Sequence, residues 1–223
     1  MEKVFKYSKS EKRGLKQLKD SMKNILSIGI STGGSAEICM AKKCPNAKIM
    51  ATTVDEKGLN FSKEKISNFK ESGRIDVKLE DVSKPMEYNK DTFDFIYARL
   101  VLHYLNKQEL NYALSEIYRV LKPGGIFFIV ARNNKEWEIS KEEFIVKYDE
   151  TTNMTTYYVQ GKKEKTQTRQ FLSEEQLKTI LEGHNFKIKS LRSYKEKLYT
   201  DYERTRKNKS KKPNYLTEVI VSK

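Results

Sequence analysis

The fold class this 223-residue sequence predicts is α/β, built on a parallel sheet. Three observations carry that expectation. From Ile25 to Val130, apolar runs short enough to be buried strands alternate with segments of helical periodicity. One run, Ile126-Phe127-Phe128-Ile129-Val130, is apolar at every position, as suits a strand covered on both faces. The C-terminal third then changes character, with Phe186 to Leu191 alternating with lysine as a half-exposed strand would.

The elements follow in order. Residues 1–23 are basic, with Leu15, Leu18 and Met22 at helical spacing, and predict an N-terminal helix packed on the main domain. Ile25 to Ile28 is a strand that runs into the glycine-dense turn Gly29-Ile30-Ser31-Thr32-Gly33-Gly34, and Ser35 to Lys42 reads as the helix behind it. Strand, glycine-rich turn and helix make room for a nucleotide or nucleoside, because a ligand can approach a main chain that lacks β-carbons. A second strand, Lys48 to Val54, ends at Asp55, about 20 residues past the last glycine, where an acid can reach a ribose hydroxyl pair. Leu59, Ser62, Ile66 and Phe69 mark one helical face. Ile75 to Leu79 is a third strand leading to Asp81, and Phe93 to Tyr97 a fourth.

Asn106 caps the next helix, with Glu109 three residues on as its reciprocal partner. Its apolar face is Leu110, Ala113, Leu114, Ile117 and Leu121, and Pro123 ends it by pushing Lys122 out of helical conformation. Beyond the fifth strand, residues 148–153 form a turn between two Tyr/Thr/Val-rich stretches, which predicts a hairpin insertion over residues 135–170. A helix opens at Ser173. The strand from Phe186 and a last one, Leu216 to Val221, then form an antiparallel pair closing the sheet edge.

Composition bounds the function. The length suits one domain spanning residues 1–223, and 10 Phe, 13 Tyr and 1 Trp argue against disorder. No stretch is long or apolar enough to span a membrane, and the lysine-rich N-terminus lacks a signal-peptide core, so the expected setting is cytoplasmic, with no membrane partner. Cys39 and Cys44 stand five residues apart beside one helix and point different ways, so no disulfide is expected. There is no cluster with metal-ligand spacing, and no metal is expected. The net charge of +14 favours an anionic partner, yet the lysines are scattered and no nucleic-acid-binding module is visible. The densest basic run, residues 204–212, reads as a solvated loop between the last two strands, with RNA phosphates as the alternative ligand.

Five segments in this order resemble the class I S-adenosylmethionine (SAM)-dependent methyltransferases. They are Leu26 to Gly34, Asp55 at the second strand end, Glu80-Asp81-Val82, the run Thr92 to Arg99 continuing into Leu102-His103-Tyr104-Leu105, and Glu116 to Gly125. The resemblance covers nearly everything from Asn24 onward. It implies a Rossmann-like sheet of seven strands, mostly parallel with an antiparallel last strand, and helices on both faces. It implies SAM as cofactor, with S-adenosylhomocysteine as product. The turn residues Gly29, Ile30, Ser31 and Gly33 would lie against its methionine end. Asp55, with Glu56 beside it, would take the ribose hydroxyls, and Asp81 and the Val82 amide the adenine. Arg99 would lie near the cofactor's amino acid group. Ser27 and Ser31 stand where the family usually has an acid and a glycine, which leaves open a binding or regulatory protein with weak catalysis.

Methyl transfer from a sulfonium needs an acceptor held in line, and a base only where the acceptor must lose a proton. His103, following the fourth strand at the carboxyl edge, is the candidate catalytic side chain. Arg99, Tyr104 and Tyr157, with Tyr158, are candidate substrate contacts, and His184 reads as structural beside Asn185, a left-handed cap. The expected acceptor is a small molecule chosen by the insertion. RNA or protein is the alternative that the basic surface supports.

Overall fold

The computed structural model describes residues 7–30, 34–199, 209–210 and 212–223. Its strands are β1 (Asn24–Ile28), β2 (Lys48–Thr53), β3 (Ile75–Leu79), β4 (Phe93–Arg99), β5 (Leu121–Arg132), β6 (Ile145–Asp149), β7 (Met154–Tyr158), β8 (Thr166–Arg169), β9 (Lys187–Glu196) and β10 (Asn214–Ser222). The helices are α1 (Lys9–Leu15), α2 (Ser35–Lys43), α3 (Glu56–Ser67), α4 (Lys107–Val120) and α5 (Glu174–Gly183).

Seven strands form the main sheet in the order β3-β2-β1-β4-β5-β10-β9. Strands β1 to β5 pair in parallel, and β10 runs antiparallel between β5 and β9. Side-chain alternation along the central strands builds two cores. Ile25, Phe95, Tyr97, Phe128 and Val130 face α1, α2 and α3, whereas Leu26, Ile96, Ala98, Phe127 and Ile129 face α4 and α5. Helices therefore cover both faces, as expected.

Local signals set most boundaries. The Asn106 side chain accepts from the Gln108 and Glu109 amides, while the Glu109 carboxylate accepts from the Asn106 amide at 2.8 Å. Asn185 is left-handed, with φ 64°, behind α5. His184 holds that end of α5 through the carbonyls of Ile180 and Asn111, a structural role. Asp94 accepts from the amides of Lys23 and Asn24, both at 2.8 Å, and from Lys122 at 2.7 Å, which locks the starts of β1, β4 and β5 together.

Four expectations need correction. The N-terminal helix stops at Leu15 and does not run through Met22. Leu15 and Met22 are buried all the same, because a turn-rich segment carries Met22 back to the core. Helix α4 ends at Val120, two residues before Lys122, on which the Pro123 constraint acts, and Leu121, placed on the helix's apolar face, is the extended first residue of β5 paired with Phe93. Strand β5 continues to Arg132, two residues past Val130. The insertion is a three-stranded antiparallel sheet, β6-β7-β8, and more than a hairpin. Its first two strands meet at the expected turn, where Asp149 accepts from the Thr151 amide at 3.0 Å and Asn153 is left-handed. Strand β8 carries Thr-Gln-Thr-Arg, with no apolar alternation to announce it.

Buried carboxylates dock α1 onto the sheet. Glu218 on β10 is 1% exposed and accepts from Arg13 Nε at 2.8 Å, from Arg192, and from the Tyr194 hydroxyl at 2.9 Å. Glu196 on β9 accepts from the first two amides of α1, Lys9 and Ser10, where the helix N-terminus favours negative charge. Removing one partner of a buried ion pair costs about 3–5 kcal/mol. Arg192 is half exposed and regains solvation, which lowers the figure. Glu218→Ala should therefore lose about 2–3 kcal/mol in urea unfolding, with faster hydrogen exchange in α1. A loss below about 1 kcal/mol with unchanged exchange would contradict this role for the carboxylate.

Candidate functional site

The loops after β1, β2, β3 and β4 open at one edge of the sheet and meet the inner side of the insertion. Between them lies a cleft of about 1250 Å³. It sits at the carboxyl ends of the strands, where the winding of the sheet reverses between β1 and β4.

The half nearer β1 is built from backbone and small groups. Gly29 has φ 74°, and a β-carbon there would lie 2.8 Å from Val101 Cγ2. Conformation and contact therefore both require glycine at this position. Ile30 follows on the cleft wall, its amide donating to the Thr52 carbonyl. Ser31 and Gly33, the other turn residues assigned to the cofactor, lie outside the described residues. On the far side, Asp81 Oδ1 accepts from the amide and hydroxyl of Ser83 at 2.9 and 2.7 Å. Its Oδ2 and the Val82 amide make no hydrogen bond among the described residues, so one acceptor and one donor stand ready in the wall. Gly29, Ile30, Asp81, Val82 and Arg99 are thus brought together.

Asp55 and Glu56 stand beside this wall and do not line it. The Asp55 carboxylate caps α3, accepting from Lys57 and Gly58 amides at 3.2 and 3.0 Å. Each of its oxygens has one further acceptor position. Arg99 lines the cleft, but its Nε and one terminal nitrogen donate to Ser10 and Ser8 at 2.8 and 2.9 Å, which ties it to the start of α1. Ser27 is buried and donates to Glu37 Oε1 at 2.6 Å. A carboxylate therefore does stand at the base of the glycine-rich turn, supplied by α2 rather than by β1.

The other half of the cleft is formed by the segment after β4, the end of β5 and the insertion. His103 is 4% exposed, and its Nδ1 has no hydrogen-bond partner among the described residues. Burial, and then the charges of Arg169 and Arg132, hold its pKa well below the usual 6.5. The imidazole is therefore neutral near pH 7 and can accept a hydrogen bond, while its surroundings disfavour the imidazolium. Arg132 reaches Glu136 at 2.7 Å and Glu138 at 3.0 Å. Burial works against its charge, but Glu136 and then Tyr157 and Glu138 outweigh it and keep the guanidinium protonated.

Arg169 on β8 donates to the hydroxyls of Tyr157 and Tyr104. Tyr104, named as a candidate substrate contact, is half exposed and lines the cleft. Tyr157 differs from that expectation. It is fully buried against Phe171, its phenol pushed up to about 12 by burial, and it meets the cleft only through Arg169. Tyr158 is half buried and also off the wall. Arg132, Trp137 and Arg169 line the cleft without having been singled out in the sequence. Among the described residues no group of three or more His, Cys, Asp or Glu could hold a metal, and no helix is long and apolar enough to cross a membrane.

The His103 environment generates a pH prediction. Unfolded, the ring titrates near 6.5, whereas folded it titrates well below. The stabilisation from keeping it neutral is full above 6.5 and is lost as pH falls from there toward the folded value. Urea midpoints should therefore drop from about pH 7.5 to about pH 5, and drop less in His103→Gln. Identical slopes in the two proteins would contradict the buried neutral ring.

Residues 26–129 match a family model described as a methyltransferase domain, a span from β1 into β5. Over 115 residues the chain is 30% identical to a sterol 24-C-methyltransferase of Debaryomyces hansenii, covering 50% of this chain and 28% of that one. Over 78 residues it is 35% identical to a demethylmenaquinone methyltransferase of Leptospira interrogans, covering 34% and 30%. The match thus spans under a third of the length of either relative. The crystal structure of a SAM-dependent methyltransferase from Methanosarcina mazei shares the fold, with a TM-score of 0.65 at 20% identity over 92% of this chain and 94% of that one. The domain match thus lies over the parallel strands, and the whole sheet, with its antiparallel strand inserted beside β5, has the fold of that S-adenosylmethionine-dependent methyltransferase.

Proposed function

We propose that this protein transfers the methyl group of SAM to a small-molecule acceptor and releases S-adenosylhomocysteine. The observation that carries the reading is a single cleft with two unlike halves. One is a glycine-backed wall with a free carboxylate oxygen and a free amide, and the other a polar and aromatic chamber roofed by an insertion. At about 1250 Å³ the cleft exceeds the ~300–1,000 Å³ usual for one small ligand, which leaves room for cofactor and acceptor together.

The residues present fit the cofactor. The missing β-carbon at Gly29 leaves the main chain open to close approach. Asp81 Oδ2 suits an exocyclic amine, the Val82 amide a ring nitrogen, and the remaining lone pairs of Asp55 a ribose hydroxyl pair. The Ser27–Glu37 pair supplies the negative charge that Ser27 alone lacks, which supports catalysis over a purely regulatory role. The cofactor supplies an activated methyl group whose bond electrons return to sulfur as the acceptor's lone pair forms the new bond. The chain's part is to hold the acceptor in line and keep water out. Neutral His103, on the cleft wall, offers a hydrogen-bond acceptor that orients the methyl acceptor's donor group, while burial and the nearby Arg169 and Arg132 disfavour its taking the proton outright.

Calorimetry with SAM and S-adenosylhomocysteine tests the cofactor half. Hydrogen bonds to charged groups contribute about 1.5–3 kcal/mol, so Asp81→Ala and Asp55→Ala should each weaken binding roughly 10- to 100-fold. No binding by the wild-type protein would overturn the reading. The alternative acceptor, RNA or protein, draws on the +14 charge. Residues 204–208 and 211 of the basic run lie outside the described residues. Methylation of bulk RNA without small-molecule turnover would replace the small-molecule acceptor with that alternative.

A further inference from the structure

The acceptor half of the cleft holds a buried cation without a counter-charge among the described residues. Arg169 is 6% exposed. Its guanidinium lies 4.9 Å from the ring centre of Tyr104 and 5.8 Å from that of Tyr157, and it donates to both hydroxyls. That uses two of its five N–H groups. Its Nε is buried with no hydrogen-bond partner, and among the described residues no carboxylate lies within ion-pair distance of it. The two neighbouring acids that could have served, Glu136 and Glu138, are both turned onto Arg132.

A buried guanidinium bound only to neutral hydroxyls is costly, because hydroxyls replace its lost hydration only in part. Three further observations point to what completes it. The buried Nε1 of Trp137 is also a donor without a partner. Lys212 lies 4.5 Å above the Trp137 ring, and Lys162 stands on the cleft wall, each without an acidic partner among the described residues. Donors and positive charge thus converge on one end of the cleft, with Tyr104, Trp137 and Phe144 as apolar surfaces beside them.

We propose that the methyl acceptor is a small acid, whose oxyanion (carboxylate or phosphate monoester) seats on Arg169 with its apolar body against Tyr104 and Trp137. A guanidinium fork offers parallel N–H groups to either kind of oxyanion, and the flanking rings exclude water. Lys162 and Lys212 raise the local concentration of anions at the mouth. This deepens the methyltransferase reading and rests on it. Arg169 is a specificity residue in it.

Trp137 is the chain's one tryptophan, so its fluorescence reports directly on this end of the cleft. The test titrates benzoate, phenyl phosphate and neutral benzamide into protein saturated with S-adenosylhomocysteine, at constant ionic strength. Saturable changes with benzoate or phenyl phosphate, and none with benzamide at equal concentration, are expected. The better of the two anions identifies the oxyanion. Arg169→Gln should weaken anion binding at least tenfold while leaving S-adenosylhomocysteine affinity within about threefold. Arg169→Lys, which keeps the charge but loses the fork, should fall between them and guards against misfolding of the glutamine variant. Lys212→Ala should cost only two- to threefold and flatten the salt dependence.

Equal responses to benzoate and benzamide, or anion binding unchanged in Arg169→Gln, would overturn the proposal. So would a wild-type protein that binds S-adenosylhomocysteine yet gives no saturable anion response, and that result would leave the methyltransferase reading intact. Failure of the wild-type protein to bind S-adenosylhomocysteine would instead remove the reading on which the proposal rests, whatever the anions do.

Discussion

The contact between Gly29 and Val101 is the constraint on which the cleft depends. In a sheet wound both ways, the loops after β1 and β4 lead off in opposite directions and leave a crevice between them. Here those loops touch. A single methyl group at residue 29 would drive into Val101, and the backbone there already has a conformation that other residues rarely adopt. Gly29, at the end of β1, is therefore packed closely against Val101. The segment after β4 is held against it, and the position of His103 and Tyr104, two and three residues beyond Val101, follows from that one approach.

Charge placement does the second part of the organisation. The main sheet carries buried carboxylates at Glu196 and Glu218, and both are spent on holding α1 in place. Through Ser8 and Ser10, α1 in turn occupies Arg99, so the N-terminal helix and the cleft wall share one hydrogen-bond network. At the opposite end Arg132 takes two carboxylates and Arg169 takes none. Of the two buried arginines among the described residues, Arg132 is thus neutralised by carboxylates and Arg169 is not.

Much of this was legible in the sequence, for identifiable reasons. The central strands β1, β4 and β5 are largely buried on both faces and so appear as apolar runs, the edge strand β3 shows itself by alternation, and α4 and α5 begin with capping boxes whose residues are fixed in type and spacing. The left-handed Asn185 was readable because it follows a periodic helix. What escaped lacks a local signature. Strand β8 is polar at every position, held by pairing with β7 and not by burial pattern. Glu37 reaches Ser27 across a helix–strand packing contact, and no spacing rule anticipates that a missing acid will return from α2. Tyr157 resembles its neighbour Tyr158 in sequence, and only the pleat of β7 decides that one is sealed inside. Arg169 sits in a lysine-rich stretch where another basic residue carries no information until its surroundings are known.

The placement of β10 has a consequence for how the chain acquires this form. It is the last of the main sheet's strands in sequence, yet it lies inside the sheet, between β5 and β9. Until residues 214–222 arrive, β5 presents an unpaired edge along Ile126 to Arg132, a run of apolar residues with no charge before Arg132, and β9 has nothing to pair with. A nascent or truncated chain would therefore carry a sticky central seam, and the closing step joins segments some ninety residues apart, a slow kind of contact to make. The lysines that alternate along β9 and the large positive charge of the whole chain serve in that interval as a guard against association with other copies, well before any ligand is bound.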